Sequence, residues 1–240
     1  MSRIDWRIIA TIIFCAALLQ GCSLINGNRT GDDWLELVHA GITAEDDFRF
    51  DGSVAMGFTD GMELSPYSFE GEIQRHKQIA LYVKEKNSLV RNPVNDLDFI
   101  ATHYSNIDIV YEGLDKDQEQ SIVVIQVTAD EEAATSRWKD QLEQELATVT
   151  LQAVGAAEEG NGNVKLVQQE ASAAETTLSE MLKELKVSMK YTITIDKLKA
   201  KPLKMEEYVN LQYKKKGSLL SEYRKTNIKF DLNGLSVDQS

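Results

Sequence analysis

The sequence predicts an α+β fold in which one strongly curved antiparallel sheet carries helices on its concave face. Seven or eight stretches alternate apolar and polar residues, the pattern of antiparallel strands with one face in water. Three or four amphipathic stretches of helical period can cover the apolar face of such a sheet. The 240 residues, of which 42% are hydrophobic and 27% charged, have the composition of a globular protein.

The first predicted helix begins near Asp32 or Asp33, either of which can act as its N-cap. The stretch after this helix changes to a period of two, which indicates a strand. Five apolar residues share one face of that strand: Phe48, Phe50, Val54, Met56 and Phe58. The alternation over residues 69–83 then predicts a β-hairpin with its turn near residues 76–78.

The middle of the chain predicts two helices and two strands. Asn92 and Pro93 have the order of an N-cap and a first helical residue, and this helix is predicted to reach about Ser105. The residues around 107–111 resume the strand pattern, and the β-branched run over 122–127 predicts a central strand. Asp130 is expected to cap the longest helix, which ends near Ala153, with residues 155–163 as a loop.

The last part of the chain predicts a helix around residues 173–185 and three strands. The strand over residues 187–195 has the strongest alternation in the sequence. Two further strands are predicted around residues 209–213 and 228–232, with a turn at Lys216 and Gly217 between them. Some seven or eight predicted strands alternate apolar and polar residues, which favours a sheet that is buried on one face.

Residues 1–21 have the features of a signal peptide. Arg3 and Arg7 precede an uncharged apolar run of 12 residues, Ile8–Leu19. A helix needs roughly 20 apolar residues to span a bilayer, so this run is too short for a membrane span and fits a signal peptide. The sequence therefore predicts export.

The end of this segment resembles a bacterial lipobox. Leu19, Gly21 and Cys22 match its defining places, while Gln20 departs from the usual small or β-branched residue. The resemblance implies cleavage before Cys22, diacylglycerol and palmitate on that cysteine, and anchoring to the bacterial cell membrane with the domain on the extracytoplasmic side. Residues 22–31 would be a lipidated tether and residues 32–240 a single domain. The alternative is an uncleaved anchor or a signal cut elsewhere.

Charge and composition disfavour several classes of function. The net charge is −12 and the pI about 4.8, so the chain lacks the basic surface that nucleic-acid binding needs. Two cysteines and three histidines are few for a metal site held by protein side chains. We predict no nucleic-acid partner, no metal and no cofactor.

No arrangement of residues predicts catalysis. Ser136 and Lys139 have the Ser-x-x-Lys spacing of penicillin-recognising enzymes, but Tyr104-Ser105-Asn106, the match to the second motif of that family, precedes them instead of following. The three histidines lie far apart in the sequence. We therefore predict that the protein is not an enzyme.

Two regions resemble the LolA/LppX-like carrier family of exported bacterial lipoproteins. The first consists of residues 46–52 and the strand residues 68–71, and the second of residues 191–197 and 202–205. The second region resembles the family's strand, proline-containing turn and return strand. The resemblance implies a half-open β-barrel closed by helices, which binds or carries a hydrophobic or amphiphilic ligand.

The apolar face of the sheet is the candidate site for such a ligand, because Phe and Met side chains make adaptable cavity walls. The predicted lining residues are Phe50, Val54, Met56, Phe58, Val83, Ile109, Met189, Tyr191 and Ile193. In the alternative, helix side chains fill this space completely. The protein would then be an envelope lipoprotein with a packed core that acts as a protein-interaction adaptor or sensor.

Overall fold

The computed structural model describes residues 29–59, 61–75, 78–81, 92–115, 120–160 and 163–232. Residues 1–28, which include the predicted signal peptide, Cys22 and most of the tether, lie outside the described residues, as does Val83. Residues 31–240 form one compact unit, and the core residues, from Trp34 to Ile228, all belong to it.

The described residues form a single antiparallel sheet of eight strands and four helices. The strands are β1 (Phe48–Phe58), β2 (Tyr67–Gln74), β3 (Gln78–Leu81), β4 (Tyr104–Asp115), β5 (Gln120–Ala129), β6 (Lys186–Asp196), β7 (Lys201–Lys215) and β8 (Ser218–Asp231). Their order is β3-β2-β1-β8-β7-β6-β5-β4. The two outer strands, β3 and β4, do not pair with each other within the described residues, so the sheet stays open. The predicted α+β class is confirmed, and the open sheet is consistent with a half-open barrel.

The helices are α1 (Gly31–Thr43), α2 (Pro93–Thr102), α3 (Glu131–Glu159) and α4 (Val164–Lys183). They cover one face of the sheet. On β6 the residues of one parity, from Val187 to Ile195, are all fully buried. Trp34 and Val38 of α1 and Trp138 of α3 belong to the same core as these residues. Burial of this face is the main favourable contribution to folding.

Capping side chains confirm two of the predicted helix starts. The Asn92 side chain accepts a hydrogen bond from the backbone N–H of Val94 at 2.9 Å. The Asp130 side chain accepts one from the backbone N–H of Ala133 at 2.8 Å. Each bond satisfies a backbone donor that the first turn of a helix leaves without an intrahelical partner.

The predicted loop over residues 155–163 is mostly helical. Helix α3 continues to Glu159 and α4 begins at Val164, well before the predicted start near residue 173. Alanine and glutamate, good helix formers, dominate residues 153–159 and offset the cost of Gly155. Asn163 then caps α4 by accepting a hydrogen bond from the backbone N–H of Leu166 at 3.2 Å.

Candidate functional site

Most of the predicted cavity residues lie in the packed core. Phe50 and Val54 of β1 are 3% and 2% exposed, and Met189, Tyr191 and Ile193 of β6 are fully buried. Met56 and Phe58 are partly buried, and Ile109 is exposed on the edge strand β4. None of these residues lines the cleft described below. Their contact with a ligand stays a prediction.

The interior contains a polar cluster whose members bond to one another. The Tyr191 hydroxyl donates to Oε1 of Glu207 at 3.0 Å, and the Thr226 hydroxyl donates to Oε2 of the same carboxylate at 3.0 Å. Arg224 is buried nearby, with its guanidinium 5.8 Å from the ring of Trp138 on α3. The covered centre of the sheet is therefore filled both by apolar packing and by internal hydrogen bonds.

A cleft of about 900 Å³, which we call the rim cleft, lies at the end of the sheet where β4 turns into β5 and β6 turns into β7. A volume of this size is in the range of ligand-binding pockets. The rim cleft is lined by Glu45, Asp115, Gln120, Ile122, Thr194, Asp196, Lys199, Lys201, Pro202, Leu203, Lys204, Lys229, Phe230 and Leu232. No sequence pattern predicted that its charged residues would form a site.

The lining of the rim cleft contains four lysines and three carboxylates, those of Glu45, Asp115 and Asp196. Lys201 forms an ion pair with Glu45, and Lys204 forms one with Glu206 at 2.6 Å. Lys199 and Lys229 form no ion pair with the described residues. Their ammonium groups are therefore available to an anion.

The strand register brings two of these lysines together. Lys204 of β7 is directly opposite Lys229 of β8, and like charges in directly opposed positions destabilise a sheet. On the other side of β8, Asp51 of β1 is directly opposite Lys229, but these two side chains form no ion pair. A bound anion would reduce the repulsion between the two lysines.

Asp196 fixes the turn that carries Lys199. Its buried carboxylate accepts hydrogen bonds from the backbone N–H groups of Leu198 and Lys199 at 2.9 and 3.0 Å. It also accepts one from Nε2 of Gln120 at 2.6 Å, which connects the β6–β7 turn to β5. Asx turns of this kind hold a short connection in one conformation. Lys199 is therefore held at the rim cleft by a structured turn.

Apolar side chains complete the lining. Ile122 and Pro202 are buried, and Leu203, Phe230 and Leu232 are half-buried. A lining that combines apolar side chains with ammonium groups that form no ion pair with the described residues suits a ligand with an anionic head and an apolar tail. Neither a purely ionic nor a purely apolar ligand would use both parts of the lining.

The motif-like residues do not assemble into a catalytic site. Ser136 and Lys139 share a shallow surface groove, whereas the Ser105 hydroxyl donates to backbone oxygens of Thr128 and Ala129 at 3.3 Å. Nε2 of His39 forms a hydrogen bond with Oδ1 of Asp98 at 2.7 Å, so His39 has a structural partner.

Two kinds of feature are absent from the described part of the chain. Its residues contain no group of three or more His, Cys, Asp or Glu side chains arranged to hold a metal ion. No helix among them is long and apolar enough to cross a bilayer.

No protein-family model and no curated protein match this chain. Among solved structures it is similar to a LolA superfamily protein from Nitrosomonas europaea. The alignment covers 85% of this chain and 92% of that one, with 7% sequence identity and a TM-score of 0.30. At this TM-score and identity the likeness does not establish a shared function. The α+β class follows instead from the strand order and the helices of this chain.

Proposed function

We propose that the protein is a non-enzymatic, membrane-anchored bacterial lipoprotein that binds or carries an anionic amphiphile in the rim cleft. The observation that supports the ligand class is that Lys199 and Lys229, which form no ion pair with the described residues, share the lining of the rim cleft with the apolar side chain of Ile122. The lipobox resemblance at Cys22 supports the anchor.

Binding would combine two physical effects. The anionic head would sit between the ammonium groups of Lys199 and Lys229, where it offsets the repulsion between Lys229 and Lys204. The apolar tail would lie along Ile122, which the pairing of β5 with β6 places on the same face as Thr194 and Lys204, and would gain about 25 cal/mol for each Å² removed from water. The ligand would thus be held without a change in the packed centre of the sheet.

Co-purified lipid tests the ligand class. Residues 31–240, which contain the whole core, would be expressed in a bacterium and analysed by native mass spectrometry with lipid extraction. We expect a bound anionic lipid that is lost in the double variant Lys199→Glu/Lys229→Glu. The matched control Lys165→Glu/Lys215→Glu makes the same change of charge away from the rim cleft and should keep the lipid.

Metabolic labelling tests the anchor. The full chain, expressed in a bacterium with a clickable palmitate analogue, should carry the label and fractionate with membranes. Cys22→Ala should remove the label. Labelling that persists in Cys22→Ala would exclude lipidation at this residue.

The packed interior favours a second candidate function. Because Met189, Tyr191 and Ile193 are fully buried, the protein would in this case act through its surface as an adaptor or sensor at the cell envelope. A native mass equal to that of the protein without bound lipid, together with a melting temperature that anionic lipids do not change, would favour this second function over the first.

A further inference from the structure

Helices α3 and α4 form a hairpin of which only the base packs on the sheet. The buried residues of α3 are Ala134 and Trp138, and the buried residue of α4 is Leu182. Between Lys139 and Met181 no described residue is buried. At 1.5 Å per residue α3 is about 43 Å long. Most of the hairpin therefore lies outside the core.

An apolar groove runs between the two helices. It has a volume of about 420 Å³ and is lined by Leu142, Glu145, Leu146, Val149, Ala174, Thr177, Leu178 and Met181. On α3 the lining residues are three and four positions apart, and so are those on α4. They form one stripe on each helix, as in an interface that receives another helix.

Two observations indicate that a partner of this groove would be positively charged. Residues 139–183 contain eight acidic and three basic side chains, so the hairpin is acidic. Glu145, the charged residue within the groove lining, is held in place by a hydrogen bond from Nε2 of Gln141 at 2.8 Å. An apolar groove that contains a carboxylate, on a hairpin of net negative charge, is complementary to an apolar stripe flanked by Lys or Arg.

We propose that the groove between α3 and α4 binds a basic amphipathic helix of a partner protein. The apolar stripe of that helix would pack on Leu146, Val149 and Leu178, and one of its basic residues would pair with Glu145. The same acidity disfavours an anionic lipid surface and a second copy of this chain, because both would bring like charges together. This inference does not depend on the rim cleft.

The test uses residues 31–240 and fluorescence anisotropy with three synthetic peptides of roughly four turns. The first is a Leu/Lys amphipathic helix, the second has Glu in place of every Lys, and the third has the composition of the first in an order without an amphipathic stripe. We expect saturable binding of the first peptide, and binding weaker by at least about tenfold for the other two.

Two double variants test whether the first peptide binds in the groove between α3 and α4. Val149→Glu/Leu178→Glu should weaken the first peptide by at least about tenfold, since it places charge inside the groove. Leu151→Glu/Leu166→Glu is the matched control, because both residues are exposed apolar positions on the same helices outside the groove lining, and it should leave the affinity within about twofold. Circular dichroism checks that both variants keep their helices.

Three results would overturn the proposal. One is equal binding of all three peptides. The second is equal weakening by both double variants. The third is a concentration-dependent dimer in sedimentation velocity that Val149→Glu/Leu178→Glu abolishes, which would make a second copy of the chain the occupant. Loss of amphiphile binding in Lys199→Glu/Lys229→Glu with peptide binding intact would show that the two sites are separate.

Discussion

The covered centre of the sheet and its open end are built from the same strands but have opposite character. At the centre, Met189 and Ile193 of β6 are fully buried beneath the helices. At the end, Thr194 of β6 and Lys204 of β7 line the rim cleft. Thr194 and Lys204 have the opposite parity to Met189 and Ile193, so the contrast is between an apolar face that the helices cover and a polar face that the rim cleft reaches.

Polar groups differ in the same way between the two regions. In the centre, the Glu207 carboxylate receives hydrogen bonds from Tyr191 and Thr226. At the end, Lys199 and Lys229 have no ion pair with the described residues. A buried charge without partners is costly, whereas a charge at an open cleft stays solvated until a ligand arrives. The centre is therefore suited to stability and the rim to binding.

The largest expected effect is at the centre. Trp138→Ala should lower the free energy of unfolding by about 4 kcal/mol, because it removes a large buried ring between α3 and the sheet. Urea denaturation would measure the loss, with the exposed Leu151→Ala as a control that changes it by less than about 0.5 kcal/mol. A loss below about 1 kcal/mol for Trp138→Ala would indicate a loosely filled interior and restore the cavity predicted there.

A smaller effect is expected for the interior polar cluster. Tyr191→Phe should cost about 2 kcal/mol, because Oε1 of buried Glu207 loses a donor. Tyr208→Phe is the matched control on the paired strand β7, where the ring is 44% exposed. Equal unfolding free energies for Tyr191→Phe and the wild type would show that the hydroxyl contributes nothing to the packed centre.

The pH dependence of stability tests the surroundings of Tyr213, which lies at the end of β7 away from the rim cleft. Burial and a hydrogen bond to Glu222 raise the pKa of Tyr213 well above its usual value. The folded state therefore keeps this proton when the unfolded state, with a tyrosine pKa near 10, has begun to release it. The contribution to stability is complete below about pH 10 and is lost as the pH rises further. The wild type should lose stability in this range more steeply than Tyr213→Phe, and parallel curves would contradict the assignment.

The smallest expected effect on stability is at the rim. Lys199→Ala/Lys229→Ala should change the free energy of unfolding by less than about 0.5 kcal/mol, because neither side chain forms an ion pair with the described residues. Differential scanning calorimetry would measure it. A loss of more than about 2 kcal/mol would mean that these lysines are structural and would remove the contrast with the centre.

Local sequence signals predicted the fold class and the helix starts at Asn92 and Asp130, since capping residues and alternation act within a few positions of the chain. The predicted C-terminal end of α3 and the predicted start of α4 were wrong, because helix propensity around Gly155 outweighed the small polar residues. The rim cleft was not predicted. Lys204 and Lys229 become neighbours because the hairpin register set at Lys216 and Gly217 continues unbroken to them, whereas the strands predicted from the sequence, residues 209–213 and 228–232, were too short to show this pairing.

Calorimetric titration of residues 31–240 with two ligands of equal chain length, dodecanoate and dodecanol, tests directly whether the rim cleft binds an anionic amphiphile. We expect dodecanoate to bind at least about tenfold more tightly than dodecanol. Lys199→Glu/Lys229→Glu should abolish this difference, and Lys165→Glu/Lys215→Glu should preserve it. Equal affinities for the two ligands in the wild type, unchanged by the rim variants, would contradict binding of an anionic amphiphile at the rim cleft.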